Sequence, residues 1–297
     1  MKPYTLALPA DYRLHDVLAF HRRDAESIAE EVSADQLRKG VVLDGVPVVL
    51  DIVFLPASAS ITVDADGKLS KAAQDQVREA VLNILGLRID PAAFSAFVKK
   101  DKLFAALARK QPGLRIVQSA TVFEALTWAI IGQQINLSFA IALRRTFILQ
   151  AGRQHSSGLW CYPAAQDAAT LSVDDLTSRK FSGAKAETVL RLATLVSNGE
   201  LQLEITPTNS IEHISAALLA VKGIGPWTVN YGLLRGYGHA DCSLHGDVAV
   251  RAALQTLLGE EVKPDMKRTE QILAAYSPHR TMAAAHLWAS LHPRDEE

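Results

Sequence analysis

Strand-type patterns are concentrated in the first 90 residues of the chain. Runs rich in valine and isoleucine, bounded by turn residues, predict strands at 40–43, 46–55 and 60–63. The Asp66-Gly67 pair is a turn signal that closes the last of them. Helical spacing predicts one helix over 13–32 and another over 70–86, which ends at a glycine. This pattern indicates a small antiparallel sheet with helices packed on one face.

Beyond residue 90 the apolar positions recur almost entirely at helical spacing. The predicted helices are 92–110, 122–131, 138–149, 173–180, 185–197, 211–221, 226–237, 248–258, 266–276 and 282–291. The predicted fold class is therefore an α+β N-terminal domain, residues 1–92, followed by a mainly α region, residues 93–297.

Composition supports a globular protein without a membrane segment. Hydrophobic residues make up 48% of the 297 residues and charged residues 21%, and no run approaches the roughly 20 apolar residues of a membrane helix. The mixed sequence after Met1 predicts no signal peptide and a cytoplasmic location. Cys161 and Cys242 are too far apart for a metal-binding motif, so we expect buried hydrophobes and no four-cysteine iron–sulfur cluster.

The net charge of −1 does not by itself suggest a nucleic-acid partner. Two basic clusters stand out, and such clusters are more often solvated helix faces than phosphate contacts. The first comprises Lys99, Lys100, Lys102, Arg109, Lys110 and Arg115, and the second Arg144, Arg145 and Arg153.

The most informative stretch joins two predicted helices through the turn Gly223-Ile224-Gly225, which is followed by Pro226 at a favoured first helical position. The two glycines allow a tight turn and close approach to a surface, and Ile224 is expected to plug the turn into the core. Exposed backbone amides at such a turn suit a phosphate group. This segment resembles the helix-hairpin-helix motif, which binds the DNA backbone without base-specific contacts. The alternative is a plain helical hairpin.

Two aspartates follow this hairpin. The spacing of Asp241, Asp247 and Arg251 resembles the signature of the helix-hairpin-helix DNA glycosylase superfamily, in which the second aspartate is catalytic. The resemblance implies that role for Asp247; the alternative is a cap on the helix that begins at Val248. A fixed carboxylate is suited to glycosidic cleavage because it stabilises positive charge developing on the sugar.

Superfamily members that also cut the strand carry a lysine two residues after the second glycine, where this chain has Trp227. Lys222 and Lys185 do not occupy that position, so we expect a monofunctional enzyme without lyase activity. The absence of four cysteines separates the chain from the endonuclease III and MutY branches.

Over nearly the whole chain the closest resemblance is to the AlkA family of 3-methyladenine DNA glycosylases. It rests on the segments Tyr4-Thr5-Leu6, Pro112-Gly113-Leu114-Arg115, Ile130-Ile131-Gly132-Gln133-Gln134, Trp227-Thr228-Val229-Asn230-Tyr231, Pro278-His279-Arg280 and His286-Leu287-Trp288. The resemblance implies two helical lobes, one about 118–238 with the hairpin and the other about 93–117 plus 239–297. The active site would lie in the cleft between them.

Carried over by position, Trp227, Tyr231, Phe20 and His279 would line the pocket for the flipped base. Aromatic faces suit a methylated purine because its ring is cationic; the alternative is that Trp227, Tyr231 and Phe20 are ordinary core aromatics. His279 stands where AlkA has a pocket tryptophan, Val248 where it has a tyrosine, and no proline precedes Asp247. These departures imply a different substrate range.

The remaining candidates concern DNA contacts. Gln133 and Gln134 fall in the loop that probes the minor groove in the family, with Gln134 as the wedge that fills the space of the extruded base; a buried or capping glutamine is the alternative. Gly223, Ile224, Gly225 and Thr228 would contact the DNA backbone. No cofactor and no catalytic metal are expected, although a monovalent cation could bind carbonyls near the hairpin.

The sequence thus predicts a monomeric enzyme that flips alkylated purines, such as 3-methyladenine and 7-methylguanine, from damaged duplex DNA at the bacterial nucleoid. One alternative is a glycosylase for another lesion, such as uracil, hypoxanthine or ethenoadenine. Another is a non-catalytic binder of damaged DNA, which would keep the hairpin but would not need Asp247.

Overall fold

A computed structural model describes residues 1–291 of the chain. Five antiparallel strands form one sheet near the N-terminus: β1 (Tyr4–Ala7), β2 (Glu30–Val32), β3 (Gln36–Leu43), β4 (Val46–Leu55) and β5 (Ser58–Ala65). They lie in the order β1-β5-β4-β3-β2, so the three longest strands occupy consecutive places in the sheet. Two helices accompany them, α1 (Leu14–His21) and α2 (Lys71–Ile84).

The sheet and α2 bury one apolar core because both present a hydrophobic face to each other. Leu50 and Ile52 alternate inward on the central strand, and Val77 and Ile84 of α2 are fully buried in the same cluster. Ser70 caps α2 by accepting a hydrogen bond from the amide of Ala73.

The prediction of one helix over 13–32 was wrong beyond His21. The segment Glu30–Val32 is instead a strand that pairs with residues 37–39. Its short apolar spacing fits a helix equally well, and the neighbouring strand decides the outcome by offering unpaired backbone groups.

After Ile84 the regular secondary structure of the described residues is almost entirely helical, as predicted, and the α+β-then-helical fold class is confirmed. The helices are α3 (Pro91–Phe97), α4 (Phe104–Lys110), α5 (Val122–Gly132), α6 (Leu137–Ala151), α7 (Ala165–Ala168), α8 (Val173–Thr177), α9 (Gly183–Ser197), α10 (Ile211–Leu219), α11 (Pro226–Gly232), α12 (Val248–Leu258), α13 (Met266–Ala274) and α14 (Arg280–Ser290). Two short strands, β6 (Arg153–Gln154) and β7 (Trp160–Cys161), form a hairpin between α6 and α7.

The helix predicted over 92–110 is broken in the middle. Asp101 ends the break, because its Oδ1 accepts hydrogen bonds from the amides of Leu103 and Phe104 at 2.9 and 2.7 Å. The helix predicted over 226–237 also changes character, since α11 continues as one π-helical turn, Leu233–Tyr237.

The predicted domain limits remain predictions, and residues 292–297 of the predicted second lobe lie outside the described residues. No helix within residues 1–291 is long and apolar enough to cross a membrane.

A buried ion network joins the sheet to the helices. Lys39 on β3 donates to Glu30 at 2.6 Å and to Glu124 on α5 at 2.8 Å, and Arg144 on α6 donates to the same two carboxylates. Burial acts to raise the pKa of Glu30, but Arg144 and Lys39 outweigh it and hold that pKa below its ordinary value. The network fixes α5 and α6 against the sheet, and both helices border the candidate site.

Candidate active site

Asp247 stands at the first turn of α12, where three donors hold its carboxylate. Oδ1 accepts the amide N–H of Val250 at 2.9 Å, so the residue does cap the helix. The indole N–H groups of Trp227 and Trp288 reach Oδ2 and Oδ1 at 3.0 and 3.1 Å. The capping role and a chemical role are therefore compatible, because the cap fixes the carboxylate while leaving it partly exposed.

Half-buried aromatic rings extend inward from Asp247. Trp227 and Tyr231 lie one turn apart on α11 with ring centroids 5.1 Å apart, and Tyr231 is 6.2 Å from Trp288. The indole N–H of Trp128 on α5 donates to the Tyr231 hydroxyl at 3.1 Å. These rings form one continuous lining whose outer end is the Asp247 carboxylate.

Phe20 of α1 reaches the inner end of this lining through two arginines. The guanidinium carbon of Arg235 lies 4.9 Å from the Phe20 ring centroid and 5.6 Å from those of both Tyr231 and Trp288. The guanidinium carbon of Arg23 lies 3.6 Å from the Phe20 centroid. The N-terminal domain therefore contributes a ring to the same cluster, and the assignment of Phe20 to the base pocket stays a prediction.

Sequence reasoning did not assign Trp128, Trp288, Arg23 or Arg235 to the site. Arg235 follows Trp227 and Tyr231 at the same four-residue spacing, a signal that places all three on one helix face. The other three are far from that helix in sequence, and only the tertiary structure brings them to it.

The structure places His279 apart from these rings. It precedes α14, and its imidazole packs edgewise against Phe97 and Phe94, with centroids 5.2 and 6.5 Å away. Within the described residues it has no ring contact or hydrogen bond to Trp227, Tyr231 or Asp247. Its assignment to the base pocket stays a prediction.

The hairpin turn between α10 and α11 uses its two glycines differently. Gly223 has φ +97°, and a Cβ there would lie 2.1 Å from Thr188 Oγ1, so both conformation and packing require glycine. Gly225 has φ −107°, and a Cβ there would meet nothing within 4 Å. Ile224 is buried between them, as expected. Nothing inside the protein requires glycine at 225, which leaves its open face for an external surface.

The loop after α5 is tied to this hairpin. Gln133 Nε2 donates to the Gly223 carbonyl at 3.1 Å and to Thr228 Oγ1 at 2.9 Å. Thr228 itself is buried. Lys185 donates to the carbonyls of Ile130, Ile131 and Gln133, and burial lowers the pKa of its ammonium. The next residue, Gln134, is exposed with φ +55°, a left-handed conformation that non-glycine residues adopt only when held there.

Asp241 and Arg251, the other residues of the aspartate signature, are structural. Arg280 Nε donates to Asp241 Oδ1 at 2.7 Å, and the Ser277 hydroxyl donates to Oδ2 at 2.8 Å. Burial opposes ionisation of Asp241, but these hydrogen bonds outweigh it and keep its pKa below the ordinary value. Arg251 donates to the Pro264 carbonyl. The bonds of Asp241 fix the loop that leads to Asp247, and the bond of Arg251 fixes α12 to the segment before α13.

The second basic cluster is engaged inside the protein. Arg144 belongs to the buried network, Arg145 pairs with Asp24 and Arg153 with Asp167, each at 2.5 to 2.6 Å. In the first cluster, the Arg115 side chain is only 7% exposed and pairs with Asp11 at 3.2 Å. Residues 1–291 contain no group of three or more His, Cys, Asp or Glu side chains that could hold a metal ion.

Comparison with known proteins agrees with this geometry. Residues 4–120 match the AlkA N-terminal domain family. A Bacillus subtilis DNA-3-methyladenine glycosylase is 25% identical over 97% of this chain and 96% of its own length. A second B. subtilis protein, the putative DNA-3-methyladenine glycosylase YfjP, is 30% identical over 63% of this chain and 65% of its own.

Among solved structures, a 3-methyladenine DNA glycosylase from Archaeoglobus fulgidus superposes with a TM-score of 0.80. It is 21% identical, and the match covers 96% of this chain and 97% of that one. This likeness shows that the chain has the fold of such a glycosylase, and residues 4–120 belong to the AlkA N-terminal domain family.

Proposed function

We propose that the protein is a monofunctional DNA glycosylase that flips alkylated purines out of duplex DNA and hydrolyses their N-glycosidic bonds. The observation that carries this proposal is the position of Asp247, held by two indole N–H groups at the outer end of an aromatic pocket. The three similar proteins described above each carry the name of a 3-methyladenine DNA glycosylase.

In this proposal Asp247 acts on the sugar. The three hydrogen bonds fix the direction of the carboxylate, so it stabilises the oxocarbenium-like transition state without reorganising. Each oxygen retains acceptor capacity after these bonds, which allows the carboxylate to orient an attacking water. The rings of Trp227 and Tyr231 would stack on the flipped base.

Two observations support the absence of lyase activity. An indole, which cannot form a Schiff base, occupies the lysine position of bifunctional relatives. Lys185 shares its ammonium among the carbonyls of Ile130, Ile131 and Gln133, so its three N–H donors are engaged at the end of α5.

We propose that DNA is held by the hairpin from Gly223 to Gly225 and by the exposed Gln134, which would enter the space left by the extruded base. The reaction as proposed needs no cofactor. A monovalent cation at the hairpin would have to share the Gly223 carbonyl with Gln133, and a carbonyl has a second lone pair for that purpose. We propose a monomer, because one chain contains every group of this site, acting at the nucleoid.

The test is single-turnover base release from methylated duplex DNA by the wild type and by Asp247→Asn. We expect release by the wild type, a loss of at least about 100-fold in the variant, and no strand break before alkali. Borohydride should trap no covalent complex. Tight binding without release by the wild type would instead identify a damage binder, and trapping with borohydride would contradict the monofunctional assignment.

A further inference from the structure

We propose that Arg23 and Arg235 form a hydrogen-bond-donor end to the base pocket and select purines that carry a carbonyl at C6. This inference rests on the proposed function and deepens it, because it names the class of base that the same pocket prefers. Among methylated purines it favours 7-methylguanine over 3-methyladenine, and among neutral bases it favours hypoxanthine over adenine.

Arg235 lies where the far edge of a flipped base would arrive. The aromatic lining runs from Asp247 through Trp227 and Tyr231, and the Arg235 guanidinium stands 5.6 Å from the Tyr231 ring. With the sugar held at Asp247, a purine stacked along these rings points its distal edge at that guanidinium. Arg235 itself is tethered by a hydrogen bond from one terminal nitrogen to the Val117 carbonyl, and its Nε–H is buried without a partner.

Arg23 adds a second guanidinium, whose carbon lies 3.6 Å from the Phe20 ring centroid. Its Nε donates to the Phe20 carbonyl at 2.8 Å, and its guanidinium carbon lies 5.5 Å from the Trp128 ring centroid. Burial lowers the pKa of Arg23 to about 10, so the group stays charged at neutral pH. Both guanidiniums therefore bring positive charge to the same group of aromatic rings.

Neither arginine has a carboxylate partner among residues 1–291. Phe20, Arg23, Trp128 and Arg235 line a cavity behind the aromatic rings. The acidic groups of this cavity are already matched: Asp24 pairs with Arg145, and Glu30 and Glu124 pair with Lys39 and Arg144. A partly buried charge without a counter-ion costs free energy. The two guanidiniums therefore indicate that a bound ligand supplies the hydrogen-bond acceptor.

Gln118 supplies an independent sign of an incomplete site. It lines this cavity, it is fully buried, and neither its amide nitrogen nor its amide oxygen has a hydrogen-bond partner. Buried amides are nearly always paired in proteins. The cavity thus offers unpaired donors from Arg23 and Arg235 and an unpaired amide that can accept.

These groups complement a 6-oxopurine. O6 is an acceptor suited to a guanidinium, and the neighbouring N1–H is a donor suited to an amide oxygen. 3-Methyladenine presents the opposite pattern on that edge, an amino donor beside an acceptor nitrogen. It would therefore place its amino group against two guanidinium donors, with both left unpaired.

One reaction tests the preference. DNA treated with dimethyl sulfate contains both 7-methylguanine and 3-methyladenine, and chromatography of the released bases gives the ratio of their single-turnover rates. We expect Arg235→Met and Arg23→Met each to lower that ratio about tenfold by slowing 7-methylguanine release. Arg22→Met is the matched control, because Arg22 is the exposed neighbour of Arg23 and only donates to the Ser33 carbonyl, and its ratio should equal that of the wild type.

An unchanged ratio in both pocket variants, or an equal fall in both rates, would overturn the proposal. If the Arg235 variant fails to fold after losing its bond to Val117, the Arg23 variant decides, since its terminal nitrogens carry no bond within the described structure.

A second readout does not require catalysis. Free hypoxanthine should quench the tryptophan fluorescence of the wild type at lower concentration than free adenine does, and Arg23→Met should remove this difference. Equal quenching by the two bases would contradict the inference even if base release is observed. A clear preference would uphold it even if the wild type released no methylated base, which would defeat only the proposed function.

Discussion

The indole N–H of Trp227 lies 3.0 Å from Oδ2 of Asp247, while the indole N–H of Trp288 donates to Oδ1 at 3.1 Å. The two tryptophans belong to α11 and α14, and the aspartate itself begins α12. The direction of one carboxylate is thus fixed jointly by three helices, which is the kind of preorganisation that charge stabilisation in a transition state requires.

Removing one of these donors should slow the reaction while leaving DNA binding intact. In Trp288→Phe the aromatic face is kept and the hydrogen bond to Asp247 is lost. A hydrogen bond to a charged group contributes about 1.5 to 3 kcal/mol, so we expect single-turnover base release to fall roughly 10- to 100-fold. Trp160→Phe, on the distant β7 hairpin, serves as the control. A wild-type rate in Trp288→Phe would show that the hydrogen bond from Trp288 to Asp247 does not contribute to base release.

The hairpin glycines should separate stability from binding. Gly223→Ala forces a methyl group against Thr188 at a positive φ and should lower the free energy of unfolding by about 1 to 3 kcal/mol. Gly225→Ala meets open space, so its unfolding free energy should stay within about 0.5 kcal/mol of wild type. Its affinity for duplex DNA should nevertheless fall about tenfold, because the methyl group keeps the backbone from a phosphate. Denaturant titration and fluorescence anisotropy measure the two quantities, and unchanged affinity in Gly225→Ala would remove the hairpin from the DNA interface.

These features show what the sequence could and could not predict. The hairpin, the capping aspartate and the Trp227–Tyr231 pair are local patterns on one stretch of chain, and the structure places them together as expected. Arg23 was missed because a charged residue in an exposed-looking segment normally faces solvent, and only the tertiary structure brings its guanidinium to the rings of Phe20 and Trp128. The strand Glu30–Val32 was missed for the same reason, since its hydrogen-bonding partner is a neighbouring strand and not its own sequence.

The buried ion network should be costly to break. Lys39→Met leaves Glu30 and Glu124 with only Arg144 to share, and removal of one partner from a buried pair costs about 3 to 5 kcal/mol. Thermal and urea unfolding would measure the loss. Lys71→Met, which removes an exposed ion pair with Asp75, should melt like the wild type. A small loss in Lys39→Met would mean that the network does not hold the sheet to the helices.

Acid stability should depend on His21, which is buried in the core with Nε2 3.2 Å from the Ile84 carbonyl. Burial, aided by Lys39, lowers its pKa from 6.5 to about 4. In the unfolded chain His21 binds a proton near pH 6.5, whereas in the folded chain it does so only near pH 4. The stability that the neutral, buried imidazole contributes is therefore fully present above pH 6.5 and is lost as the pH falls towards 4. The shift corresponds to on the order of 3 kcal/mol. His21→Leu should flatten the stability curve between pH 6.5 and 4, whereas exposed His15→Leu should not; equal slopes in all three proteins would contradict this account.

The Lys185 ammonium should hold the conformation of the loop that carries Gln134. Lys185→Met removes three donors from the carbonyls at the end of α5 and frees the left-handed residue that follows. We expect base extrusion, followed by 2-aminopurine fluorescence in a lesion duplex, to weaken about tenfold, with affinity for undamaged DNA nearly unchanged. Exposed Lys263→Met controls for the lost charge. Wild-type extrusion by Lys185→Met would separate this lysine from the flipping step.

Phe20 and Arg23 enter the pocket from the N-terminal domain, whereas Asp247 and its tryptophans belong to the helical region. Two of the residues proposed to contact the base and the residue proposed to cleave its bond are thus encoded in separate stretches of the gene. Mutation or recombination in the first stretch can alter which bases are accepted while the bond-breaking residue stays untouched. Such modularity gives a lineage a route to new lesion preferences that does not pass through an inactive ancestor.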